Sequence, residues 1–342
     1  MKSRDIEPQT VRARELYGDF WFNSEPVPIS ALRGQVILVE FWDYSCASSL
    51  RTIPYLKEWQ RKYAPYDLVV IGVHTPRFPF GKNPELVQKA ITRLAITYPV
   101  VMDNEGLMAS QYGSRSVPTI YLIDKNGFIR YENAGDANCE MTERVIQTLL
   151  YDAGVGEELP LIMEPLRESD RIGAVCYRAT PDLFAGYLRG SIGNVEGYSP
   201  ESSVTYADPE IYLDGRFYAQ GNWQNGKDSL RLDESDDREG HLILWYQALE
   251  VGCVVRQEEG NPIEVTVRQD DRFLTSENKG DDVQLGDNGR SYFVIDEPRS
   301  FSVVKNKEFG EHILRLSTAD NGFGVYAFTF VSGVIPEVVS RN

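Results

Sequence analysis

The stretch from Val36 to Leu56, VILVEFWDYSCASSLRTIPYL, leaves this chain few ways to fold. It opens on an apolar run, Val36 to Val39 and then Phe41 and Trp42, of the kind shown by strands buried on both faces. Within a few residues the period changes. Leu50, Ile53, Leu56, Trp59 and Tyr63 recur every three or four positions, the spacing of one buried helix stripe. Cys46 stands where the strand pattern hands over to the helix pattern. A thiol in the first turn of a helix lies beside backbone N–H groups that lack an intrahelical partner, at the positive end of the helix dipole. Both favour the thiolate, which is the nucleophilic form.

The surrounding patterns extend this unit. Residues 1–35 read as a lead-in, with NSEPVPISALRGQ carrying the turn residues and alternation of an edge hairpin. Asp67 to Val73 predicts a second buried strand ending at His74, and Asn83, Pro84 and Glu85 form a helix start. TYPVVMD reads as a short strand and EGLMASQYG as a short helix closed by Gly113. SVPTIYLID and FIRYENAG predict two strands joined by an Asn-Gly hairpin turn at Lys125-Asn126-Gly127. CEMTERVIQTLLYDAG predicts a closing helix that stops at Gly154. The result is an α/β domain over 1–151, a mixed sheet with helices on both faces. Residues 152–175 hold prolines and no sustained period, which reads as a connection. Beyond it, residues 176–342 show short aromatic and β-branched runs separated by turns such as Asp214-Gly215 and Asn321-Gly322, the texture of a β-sandwich or jelly roll.

A net charge of −16 over 342 residues argues against non-specific nucleic-acid binding and against docking on anionic lipid. No apolar run approaches the roughly 18 residues of a membrane span. The charged N-terminus has no apolar core, so the expectation is a cytoplasmic protein, or an extracytoplasmic one if further residues precede it. Cys46, Cys139, Cys176 and Cys253 show no paired spacing, and His74, His241 and His312 are scattered. Neither a disulfide framework nor a metal site is suggested, and no cofactor is implied.

The motif FW-x-x-x-C, with Pro54 inside the following helix, resembles the thioredoxin superfamily. The fuller context, ALRGQVILVEFWDYSCASSLRTIPYL with IGVHTP and SVPTIYLID, is similar to the soluble part of DipZ-type proteins near the TlpA and ResA group. That resemblance implies a thioredoxin fold and thiol–disulfide exchange at a Cys-x-x-Cys site. Here the four residues are Cys46, Ala47, Ser48 and Ser49, so the attacking cysteine is kept and the resolving one is serine. The resemblance further implies a buried acid at Glu40, which is either a proton shuttle or a structural carboxylate, and a cis proline at Pro118 that, with Val117 and Trp42, docks substrate. DipZ-type proteins commonly carry a membrane region before this part, and their region after it resembles a carbohydrate-binding-module jelly roll.

Taken residue by residue, Ser49 lies one helical turn beyond Cys46, where its hydroxyl can donate to the thiolate but cannot form a disulfide. The mixed disulfide must then await an external thiol, such as glutathione. Cys139, at the start of the last helix, is a candidate distal thiol. Asp43 and Val39 stand where a peroxiredoxin needs Thr or Ser and Pro, which tells against peroxidase activity. In the second half, Tyr218, Trp223, Trp245 and Tyr246 are candidates for a glycan-stacking platform or simply core, and Asp233, Glu234, Asp236, Asp237 and Glu239 for a calcium loop or a solvated one. Two functions stay open: a monothiol oxidoreductase acting on protein or small-molecule disulfides, and a binding module whose first half is redox-inactive and whose β-sandwich binds a glycan or protein.

Overall fold

A computed structural model of the chain describes residues 11–233, 239–258 and 261–336. It divides into two units, Met1–Ala174 and Val175–Asn342.

The first unit runs β1 (Trp21–Phe22), β2 (Val36–Trp42), α1 (Ala47–Tyr63), β3 (Leu68–His74), α2 (Pro84–Arg93), β4 (Val100–Met102), α3 (Leu107–Tyr112), β5 (Thr119–Ile123), β6 (Ile129–Ala134) and α4 (Cys139–Ala153). The six-stranded sheet has the order β1-β4-β3-β2-β5-β6. β2 is parallel to β3, and β3 to β4. β5, antiparallel to β2, and β6, antiparallel to β5, close one side. This is the thioredoxin-like α/β fold. β2 is central and buried along its whole length, which is why its sequence is apolar without alternation. Ile37, Val39 and Phe41 pack with Met108, Ala109 and Tyr112 of α3 in one core. The alternate residue Glu40 faces α1, where Thr52 is bonded to it.

Three local readings change. Among the described residues the lead-in forms no hairpin: Trp21 and Phe22 pair instead with Val101 and Val100 of β4. Pro26 and Pro28 come soon after, and prolines cannot donate to a ladder. The β5–β6 turn is not a two-residue Asn-Gly type. Asp124 accepts from the backbone N–H groups of Asn126 and Phe128, and only Gly127 takes a positive φ, 78°. A register shift at Leu122/Ile123 absorbs the extra residue. Finally, the segment read as a connection is bonded to the first unit. Tyr55 donates to Asp170 and accepts from the Leu166 N–H, and Glu143 accepts from Lys62 and from the Met163 N–H.

Among the described residues the second unit is all-β, an eleven-stranded antiparallel network. Its two long strands, Gly240–Gln257 and Arg299–Thr318, pair along most of their length through bulges near Ala248 and Val251. The first half of Gly240–Gln257 also pairs with Phe217–Asn225, and its second half with Phe323–Val331. Of the four candidates for a glycan platform, three are covered and Trp245 is half-buried. Tyr218, Trp223 and Tyr246 are buried, and their polar atoms serve Leu213, Gln220 and Gln269. Alternation turns Trp223 and Tyr246 into the core, while Tyr218 lies on the face opposite its neighbours Phe217 and Ala219, its ring against Tyr212. Of the calcium-loop candidates, Glu234, Asp236 and Asp237 lie outside the described residues.

Candidate active site

The apolar run ends at Trp42, and the chain turns through Asp43–Ser45 into α1. Cys46 is the N-cap of that helix, with extended backbone (φ −96°, ψ 114°), so its carbonyl accepts from the Leu50 N–H while its own geometry is still that of the turn. The Cys46 N–H donates to the Asp43 carbonyl at 3.0 Å. Its sulfur faces the loop before β5, where Sγ lies 3.6 Å from the Val117 carbonyl oxygen. The Val117–Pro118 bond is cis. The Pro118 carbonyl accepts from the Gly135 N–H, so the far side of this loop is tied to the end of β6. Arg51 pairs with Asp136 and donates to Ser48, bracing the loop after β6 against the first turn of α1. Only 4% of Cys46 is exposed.

Ser49 is fully buried, and its Oγ accepts from the Asp43 N–H at 3.3 Å. Glu40 lies on the sheet below α1. Burial pushes its carboxyl up to about 8, against a smaller lowering from its bond with Thr52. Thr52 Oγ1 is within bonding distance of both Glu40 Oε1 and the Ser49 carbonyl. That hydroxyl donates to both oxygens and so links the buried Glu40 carboxyl to the backbone of the Cys-x-x-Ser turn.

Trp42 is corrected as a docking residue. It is fully buried, its ring edge-on to His74 at 5.3 Å, because its position on β2 points it into the layer under α1. His74, also buried, stacks on Tyr44. Cys139 is the first residue of α4, and its Sγ lies 3.7 Å from the Asp136 carbonyl oxygen. Burial, with Asp170 next, pushes that thiol up to about 12, which keeps it protonated at neutral pH. Cys253 is buried in the second unit and also pushed upward by burial, whereas Cys176 is exposed. Sequence reasoning missed the part played by Asp43, whose signal was a charged residue ending an otherwise buried strand.

The fold, with a helix-capping cysteine against a cis-proline loop, defines a thioredoxin-like domain. The AhpC/TSA family matches residues 19–132, and a family described as the thioredoxin like C-terminal domain matches residues 180–330. DipZ of Mycobacterium bovis is 32% identical over 243 residues, which are 69% of this chain and 33% of the relative. The chain thus spans about a third of the length of the DipZ proteins it matches. The thiol-disulfide oxidoreductase YkuV of Bacillus subtilis is 28% identical over 137 residues, 40% of this chain and 92% of the relative. Among solved structures, a thiol-disulfide isomerase from Corynebacterium glutamicum is 26% identical with a TM-score of 0.37, covering 40% of this chain and 96% of that one. The first unit is therefore similar to thioredoxin-like redox proteins. The cytoplasmic expectation is corrected by the relatives matched, which include DipZ and the thiol-disulfide oxidoreductase ResA of Geobacillus kaustophilus. Among the described residues no helix is long and apolar enough to cross a membrane.

Proposed function

We propose that the first unit carries out monothiol thiol–disulfide exchange through Cys46. The observation that carries this reading is Cys46 Sγ set 3.6 Å from the carbonyl of Val117, the residue before the cis proline, with serine one turn further on. The α1 N-terminus stabilises negative charge developing on Sγ. The Cys46 sulfur attacks one sulfur of a substrate disulfide, a new S–S bond forms, and the other substrate sulfur leaves as a thiolate that takes up a proton. Ser49 supplies no second sulfur, so the mixed disulfide persists until an external thiol such as glutathione attacks it. That step frees Cys46 and oxidises the external thiol onto the substrate fragment. Val117 and Pro118 border the reacting sulfur and dock the substrate chain. Glu40, neutral at neutral pH, holds the proton the exchange requires. The name borne by two of the relatives, thiol-disulfide oxidoreductase, supports exchange at this site.

The test is to mix the protein with a cystine-bridged peptide and follow intact mass. The expected result is one stable adduct that maps to Cys46, is absent in Cys46→Ser, and is released by glutathione. No adduct on Cys46 would leave the domain a redox-silent scaffold.

A further inference from the structure

Asp43 deepens that reading, on which this inference rests. It is a fully buried carboxylate, three residues before Cys46, and its atoms reach several parts of the site at once. Its carbonyl accepts from the Cys46 N–H, and its N–H donates to Ser49 Oγ, so the ends of the Cys-x-x-Ser motif both hang on one residue. Oδ1 accepts from the Ser45 N–H at 2.7 Å and from Ser45 Oγ at 2.8 Å. Oδ2 accepts from the Arg77 N–H, in the segment that follows β3. His74 Nε2 lies 3.8 Å from Oδ1, with the imidazole held between Trp42 and Tyr44. The Thr75 N–H donates to the Trp42 carbonyl at 2.8 Å, so the two strand ends leave the sheet together. Burial alone would raise this carboxyl; His74 and the backbone donors outweigh it and hold Asp43 below its ordinary range. It is a carboxylate at neutral pH, and a buried anion with this many fixed donors has little freedom to move.

We infer that Asp43 is the positioning residue for Cys46: its carboxylate locks the Trp42–Cys46 turn to the Thr75–Arg77 segment and thereby aims Sγ at the Val117 carbonyl. Asp43 acts through the backbone and through Ser45. Its importance is geometric, because attack on a disulfide requires the incoming sulfur to line up with the bond that breaks, and a displacement of about 1 Å can cost up to 100-fold in rate. An amide at position 43 would face one of these donors with a donor of its own.

The test compares the full chain with its Asp43→Asn variant in two reactions, both read at the Cys46 peptide by mass spectrometry. One is adduct formation with a cystine-bridged peptide, which needs the docked geometry. The other is alkylation by iodoacetamide, which needs only access. Asp43→Asn is expected to slow the peptide reaction about tenfold or more and alkylation much less. Equal slowing of both, or slowing of neither, overturns the positioning role. If the unaltered chain forms no peptide adduct, the proposed function fails on its own account. Positioning is then decided by a crystal structure of Asp43→Asn: Sγ displaced from the Val117 carbonyl supports it, and Sγ unmoved overturns it. If Asp43→Asn does not fold, Ser45→Ala removes one donor and leaves the carboxylate. Selective slowing of the peptide reaction in that variant supports the inference, and its absence overturns it.

Discussion

Glu40 is a carboxylic acid that the fold keeps protonated by denying it water. Its folded value, about 8, lies above the ordinary 4.5, so the native state binds a proton the unfolded chain has lost. The stability this contributes is complete below pH 4.5 and is lost as pH rises to about 8. Glu40→Gln, which cannot ionise, is expected to flatten that limb. Urea midpoints measured at pH 5.5 and 8.5 should differ for the parent by the equivalent of a few kcal/mol, and hardly at all for Glu40→Gln. A parent with no such slope would mean that Glu40 is ionised and solvated. At Ser49, replacement by cysteine is expected to turn a long-lived adduct into a cycling dithiol, read as insulin reduction with a dithiol reductant. No gain would place the deficit elsewhere in the site. Cys46 and its helix were legible because a change of hydrophobic period marks that junction. The full set of bonds at Asp43 was not, since the Arg77 donor reaches it only once β2 and β3 lie side by side.

Between elements, the parallel pair β2–β3 is where close packing matters most. Gly72 lies opposite Glu40 in the ladder. A Cβ there would meet Trp42 Nε1 at 2.9 Å, Tyr98 Cε2 at 3.2 Å and Val100 Cγ2 at 3.3 Å, all in a closed layer. Gly72→Ala is therefore expected to destabilise the first unit by about 1–3 kcal/mol, visible as a lower urea midpoint. An unchanged midpoint would mean that the Trp42 ring can shift freely. The α2 cap was readable from Asn83-Pro84-Glu85, and the Asn83 side chain accepts from the Glu85 N–H at 2.8 Å. Asn83→Ala should cost about 1 kcal/mol by the same measurement. The edge strand β1 was hidden, because two residues are too few to show a period. In the second unit, the long strand Gly240–Gln257 changes partners partway along its free edge, so one continuous strand looks like several runs.

Each unit of the molecule has a hydrophobic core of its own, one under β2 and α3 and one within the antiparallel network. We propose that the first folding unit extends to Ala174, past the end of α4. Residues 159–170 supply partners that α1 and α4 lack without them, among them Asp170 for Tyr55 and the Pro160 carbonyl for Gln147. A chain ended at Ala153 should melt several degrees below one ended at Ala174, since it strands buried polar groups worth about 1–3 kcal/mol each. Equal melting temperatures would make that stretch a mere tether. It escaped sequence reading because its bonds use backbone groups and single side chains, which leave no period. The distribution of thiols carries a practical consequence. Cys46, Cys139 and Cys253 are covered, and Cys176 is the exposed one. Air oxidation during purification will join two molecules there first, so a band of doubled mass on a non-reducing gel reports storage history and carries no information about turnover.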